Sequence, residues 1–197
     1  MTPKFKVKYE ETKETLIQTC ELYRLDLNKI GYRICTICLG IAVLIIILVK
    51  SNILTLSTGE QISFYLKYAG IWIAIFLGME IFRRTLGKKM ANTSAYGDGD
   101  AAYAQRVEQR KGKLIVEMSF FDDGFLNDTQ TKQSKYSYSE VCKILESDRA
   151  IGIVIKTAQG AKGIYSFPKN SLLEGSLEEL KDFLVSHCDS VNKVTTF

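Results

Sequence analysis

Ile34-Cys-Thr-Ile-Cys-Leu-Gly-Ile-Ala-Val-Leu-Ile-Ile-Ile-Leu-Val49 is a run of 16 residues without a charge, set between Arg33 and Lys50. At 1.5 Å per helical residue it extends about 24 Å, most of a hydrocarbon core roughly 30 Å thick, and Ile30, Gly31 and Tyr32 complete the length at its entry. A second run, Tyr68 to Phe82, lies between Lys67 and Arg83. It reaches about 20 residues when Ile62 to Leu66 join it and Lys67 stretches its ammonium to the headgroups. The two runs read as membrane-spanning helices forming a hairpin. Two buried core helices of a soluble protein are the alternative, but the first run has no polar face to offer water. Glu80, the one carboxylate in the second run, precedes Arg83 and Arg84 by three and four residues, the spacing of an ion pair at the end of a helix.

The hairpin organises the rest of the chain. With 46 % hydrophobic residues and a mean hydropathy of +0.00, the 197 residues are the sum of an apolar part and a polar one. The expected organisation is a cytoplasmic strand and amphipathic helix over 1–33, a first span over 34–50 and a short external loop over 51–61. A second span over 62–82, a basic flank and linker over 83–104 and a cytoplasmic domain over 105–197 follow. Arg24, Lys29 and Arg33 precede the first span, and Arg83, Arg84, Lys88 and Lys89 follow the second, so the positive-inside rule puts both termini in the cytoplasm. No cleavable leader is expected, because about 33 polar-rich residues come first.

Charge narrows the partners. The net charge is +4, but from Gln105 onward 13 Lys and Arg face 13 Asp and Glu, so the surplus sits by the membrane. A nucleic-acid binder needs a basic stripe on its soluble domain, and none is expected here. The five cysteines have no paired spacing, and free thiols are expected in a reducing compartment. Cys35 and Cys38 have C-x-x-C spacing but lie inside the apolar run with no histidine nearby, which favours small-residue packing over metal or redox chemistry. No cofactor and no metal are expected.

Small residues mark helix contacts. Gly70, Ala74 and Gly78 recur every four residues in the second run, and Gly40 follows Thr36 by four in the first. Such stripes let a second helix approach closely, either within the hairpin or in a dimer.

Outside the spans, Lys4 to Glu10 alternates with period two and predicts a strand with Phe5, Val7 and Tyr9 on one face, added to a sheet elsewhere. Thr12 is the expected N-cap of a helix whose apolar face carries Leu16, Cys20, Tyr23, Leu27 and Ile30. Asn92 to Ala104, with Gly97-Asp-Gly-Asp100, reads as a linker; the other ligands of a calcium loop are missing.

From Lys113 the texture is β. Strands are predicted over Lys113–Phe121, Phe125–Thr129, Ser134–Tyr138, Glu140–Ser147, Ala150–Thr157 and Ile164–Phe167. Turns fall at Asp122-Asp-Gly124, at Asp148-Arg149 and over Gln159–Gly163. Ser176 and Glu179 form a capping box that opens a last helix with Leu177, Leu180, Phe183 and Leu184 on one face. The fold class is thus a membrane α-helical hairpin plus an α+β soluble domain, a meander or half-barrel of six or seven strands with one C-terminal helix covering its open side.

Phe120-Phe-Asp-Asp-Gly-Phe125, Tyr138-Ser-Glu-Val141, Phe167-Pro-Lys169 and the helix start Gly175-Ser-Leu-Glu-Glu-Leu180 carry a resemblance over nearly the full length. The chain resembles the YcxB-like family of small bacterial membrane proteins, in which two spans precede a pleckstrin-homology-like (PH-like) domain on the cytoplasmic side. Tyr138 stands where that family usually has Trp. The resemblance implies an architecture and a place in the cell membrane; it brings no activity to particular residues.

Three function classes follow. Catalysis is disfavoured: the single histidine, His187, is next to Cys188 in a predicted helix, where adjacent residues point to different faces. Recognition of lipid headgroups by the PH-like domain needs cations in the loop after its first strand, and that loop is Asp122-Asp123-Gly124. The preferred reading is a membrane-anchored interaction or regulatory domain, with the lipid bilayer and a second copy or another membrane protein as its partners.

Overall fold

A computed structural model describes residues 2–50, 57–156 and 162–197. The chain divides into two compact units, residues 1–24 with 92–197 and residues 25–91.

The first unit is α+β. Its strands are β1 (Phe5–Glu10), β2 (Ile115–Phe121), β3 (Gly124–Asp128), β4 (Gln133–Tyr136), β5 (Val141–Glu146), β6 (Ala150–Lys156), β7 (Lys162–Pro168) and β8 (Thr195–Thr196). They form two four-stranded sheets, β1-β2-β3-β4 and β7-β6-β5-β8. Eight strands among the described residues exceed the six or seven expected. The last, β8, pairs in parallel with Leu145 and Glu146 and is only two residues long, too short for any periodicity to register.

The strand predicted at the N-terminus pairs antiparallel with β2 over its whole length, Phe5 opposite Phe120 and Glu10 opposite Ile115. Val7 is fully buried, while Lys6 and Lys8 point outward to Glu117. The side chains that meet between the sheets are large and apolar: Met118, Phe120, Phe125, Ile144, Ile153 and Phe167 are all fully buried. Helix α4 (Leu177–His187) adds Leu180 and Leu184 to that core. The predicted capping box starts it, with the Glu179 amide donating to Ser176 Oγ and the Ser176 amide donating to Glu179 Oε2.

Every residue of β6 from Ala150 to Ile155 is buried, which explains its unbroken apolar run. One face of the strand meets the core. The other lies under the first turns of helix α1 (Lys13–Lys50), whose Leu22 joins Leu145, Ala150 and Val154 in a second cluster. The expected apolar face of that helix is thereby corrected. Leu16 is buried and Cys20 half-buried, but Tyr23 is exposed and the fully buried position is Leu22. The surface being covered is a sheet rather than another helix, and its local shape selects the face. Thr12 caps α1 as expected, its hydroxyl accepting from the Thr15 amide.

The expected linker over Asn92 to Ala104 is helical instead. Helix α2 (Thr58–Phe82) passes through a π-helical turn at Arg83–Gly87 into α3 (Lys88–Arg110). Two glycines and two aspartates are poor helix formers, but here they serve a helix contact. A Cβ on Gly99 would lie 2.5 Å from the Ile17 side chain and 2.9 Å from its backbone, so only glycine lets α3 approach α1 so closely. Asp98 accepts two hydrogen bonds from Arg24 at 2.9 and 2.7 Å, and Asp100 is 2.7 Å from Lys13. The carboxylates that raised a calcium reading are committed to cations. Helix α3 ends at Lys111 and Gly112, which take φ of 51° and 75°; the Gly112 amide donates back to the Val107 carbonyl.

The second unit holds the part of α1 from Leu25 onward together with α2. Both helices are long and apolar enough to cross a membrane, and none of the apolar window of either is buried. Phe64, Tyr68, Trp72 and Met79 are half-buried along one side of α2. Trp72 packs against Gly40, where an added Cβ would stand 3.3 Å from the indole nitrogen. The first six residues of the predicted external loop and most of the predicted turn at Gln159–Gly163 lie outside the described residues.

Candidate functional site

The two stripes of small residues are placed differently. Gly40 lies inside the hairpin, against Trp72. Gly70, Ala74 and Gly78 are exposed, and nothing stands within 4 Å of a Cβ added at Gly70 or Gly78. At about 100° per residue this stripe is on the side of α2 opposite Trp72.

Of the basic residues beside the spans, Arg33 and Lys89 are exposed. Arg83 and Arg84 fall in the π-helical turn and Lys88 opens α3, but their side chains lie outside the described residues, as does the pairing expected for Glu80.

The features weighed for catalysis and lipid recognition are spoken for within the fold. His187 turns Nδ1 to the Phe183 carbonyl at 2.8 Å and the Ser186 hydroxyl at 3.0 Å. Cys188 is buried, and burial pushes its thiol up to about 11, with the Asp189 carboxylate adding to the effect; a thiol so placed stays protonated near neutrality. In the β2–β3 turn, Lys135 donates to Asp123 at 2.7 Å and holds its carboxyl below the usual range, and Lys4 lies 3.9 Å from Asp122. Among the described residues no cluster of His, Cys, Asp or Glu fits a metal ion.

A concave site exists elsewhere in the α+β unit, where sequence reasoning had not looked. A cleft of about 530 Å³ opens between the start of α1, the end of α3, strands β2 to β4 and β7. Glu11, the residue between β1 and the cap of α1, stands on its wall beside Arg110, the last residue of α3. Glu11 Oε2 and Arg110 Nη1 are 2.7 Å apart, and both residues are buried, at 6 % and 7 % exposure. Their alignment does not make a hydrogen bond, so charge alone joins the two atoms. Arg106, one turn earlier on α3, brings Nη1 to 3.8 Å from Glu11 Oε1 and remains half-exposed. Burial pulls the Arg110 guanidinium down from its ordinary range, and the Glu11 carboxylate opposes that shift.

The opposite rim is the β3–β4 loop, which is held in one shape by its own polar groups. Asp128 Oδ1 accepts from the Gln130 amide at 2.8 Å, Gln130 takes φ of 61°, and the Thr129 hydroxyl donates to the Lys132 carbonyl at 3.0 Å. Lys132 thereby comes to the cleft together with Thr129 and Thr131. The floor is fixed by the Tyr9 hydroxyl donating to the Ser166 carbonyl at 2.7 Å and by the contact of the Thr19 and Ser166 hydroxyls. Burial raises the Tyr9 phenol, which keeps it a neutral donor. Arg106 and Arg110 are four residues apart on one helix face, a signal the sequence does carry. The linker-like composition of Asn92 to Ala104 just before them masks that signal.

The arrangement offers cations, hydroxyls and amides in a concave polar setting; among its described lining residues there is neither a cysteine nor a histidine. No protein-family model and no curated protein matches the chain.

Proposed function

We propose that the chain is a membrane-anchored interaction or regulatory protein of the YcxB-like kind, not an enzyme. In this reading the two apolar helices cross the cell membrane as a hairpin with both termini in the cytoplasm. The α+β unit is a PH-like domain held at the inner leaflet, where it meets a second copy or another membrane protein.

The observation that carries the reading is the exposure of the apolar helices. Ile34 and Leu44 on α1 are 57 % and 58 % exposed, Ile73 and Ile81 on α2 are 52 % and 63 %, and among the described residues of α2 none is buried. A helix pair that covers only its own shared face leaves the rest for lipid. Arg33, Arg83, Arg84, Lys88 and Lys89 give the orientation, by their number rather than by net charge.

The outward stripe of Gly70, Ala74 and Gly78 supports self-association within the membrane. Gly78→Leu is expected to abolish the crosslinked dimer in native membranes while leaving the hairpin intact. Gly40→Leu, which must displace Trp72, should instead lower the thermal stability of the detergent-solubilised protein, at a cost of about 1–3 kcal/mol. Crosslinking that yields monomer alone and no partner, with the purified protein binding anionic vesicles, would replace this reading with lipid recognition.

A further inference from the structure

We propose that the cleft between α1, α3 and the β3–β4 loop binds a small phosphate monoester, with Arg106, Arg110 and Lys132 around the phosphate. The inference goes beyond the membrane reading and survives its failure, since every residue of the site belongs to the α+β unit.

Charge selects the ligand class. Three cations face one carboxylate, so the described lining carries two net positive charges, although the residues from Gln105 onward, these three cations included, sum to zero. A phosphate monoester near neutrality carries between about −1.5 and −2 and presents three acceptor oxygens. Guanidinium groups match those oxygens with paired N–H donors, which suits arginine to phosphate recognition.

Geometry adds to charge. Glu11 Oε2 and Arg110 Nη1 are in contact without a hydrogen bond between them, and Arg106, 3.8 Å from the same carboxylate and half-exposed, keeps its fork open to a second anion. A single surface arginine is common, but two on successive turns of a helix end, one of them buried, facing a pinned lysine loop make a formed site. The helix C-terminus itself repels an anion, so the side chains and not the backbone must supply the attraction.

Volume and lining set the rest of the ligand. About 530 Å³ is within the range of small-molecule sites and exceeds what a bare phosphate fills. Asn127, Ser134 and Gln109 line the remainder beside Leu16, Val116 and Ile164, so the body attached to the phosphate is small, with hydroxyl groups for the polar side of the cleft.

The test uses the full chain in phosphatidylcholine nanodiscs, titrated calorimetrically with inorganic phosphate and glycerol 3-phosphate, with glycerol as the uncharged control. Saturable one-to-one binding of the phosphates but not of glycerol is expected. Arg106→Gln combined with Lys132→Gln should weaken it about tenfold or more, since each lost charge-assisted contact removes a strong hydrogen bond. Arg110 stays in place in this variant, so its unliganded melting temperature serves as the check that the fold is retained. A second arm repeats the titration in nanodiscs containing phosphatidate. Loss of glycerol 3-phosphate binding there identifies a lipid headgroup as the source of the phosphate; unchanged binding identifies a soluble one. Absence of saturable binding up to about 10 mM, weaker than any affinity worth about 3 kcal/mol, would overturn the proposal. So would equal affinity in a folded double variant.

Discussion

Arg110→Met is expected to destabilise the α+β unit by about 3–5 kcal/mol, because it strands the Glu11 carboxylate in a buried position. The size follows from where the two groups sit. Glu11 is buried at the junction of β1 and α1, and Arg110 is buried at the end of α3, so their 2.7 Å contact joins two elements about 100 residues apart in sequence. Arg106, at 3.8 Å and half-exposed, is too far and too well solvated to take over. Adding Glu11→Gln to Arg110→Met should recover a large part of the loss, since a neutral amide is far less costly to bury unpaired than a carboxylate. Urea unfolding of the full chain in detergent, followed by amide exchange on β1 and β2, measures both variants. A single Arg110→Met variant within about 1 kcal/mol of the parent would mean that the pair is solvated after all.

Gly124→Ala is the second large effect, expected at about 3 kcal/mol or more from strain and overlap together. Gly124 takes φ of 154°, and a Cβ there would lie 2.2 Å from the Tyr136 carbonyl oxygen and 3.3 Å from Ser137 Cα. The obstacle is backbone on both counts, so no side chain can swing aside. Gly112→Ala separates the two causes: φ is 75° there, but nothing lies within 4 Å of the added carbon. That variant should lose only about 1 kcal/mol, the conformational part. The comparison is read from the same urea transitions, and equal losses at the two sites would remove the crowding argument.

Much of the fold was legible because its strands alternate or run apolar in the way their burial demands. Phe5, Val7 and Tyr9 announced β1, and the apolar run from Ala150 announced β6, which the structure shows buried from Ala150 to Ile155. Ser176 and Glu179 marked the last helix to the residue. What escaped depends on tertiary context. Gly97-Asp-Gly-Asp100 has the composition of a linker, and only the approach of Ile17 to Gly99 and the salt bridges to Arg24 and Lys13 make it helical. The buried face of α1 is chosen by the sheet beneath it, which places Leu22 inside and Tyr23 outside.

The cleft was illegible for a related reason. Its charged members come from positions 11, 106, 110 and 132, and nothing in their spacing says that β1 returns to pair with β2. Once that pairing is known, Glu11 and Arg110 are necessarily neighbours, since the Glu11 amide donates to the Leu114 carbonyl four residues beyond the helix end. The small-residue stripe of α2 was visible from spacing alone, whereas its outward direction required the position of Trp72 against Gly40.

Extraction of native membranes with alkaline carbonate tests the central claim most directly, because it strips peripheral proteins and leaves bilayer-embedded helices in place. The account predicts that the full chain stays in the pellet and is released only by detergent. Recovery in the supernatant as a monodisperse, detergent-free particle would contradict it.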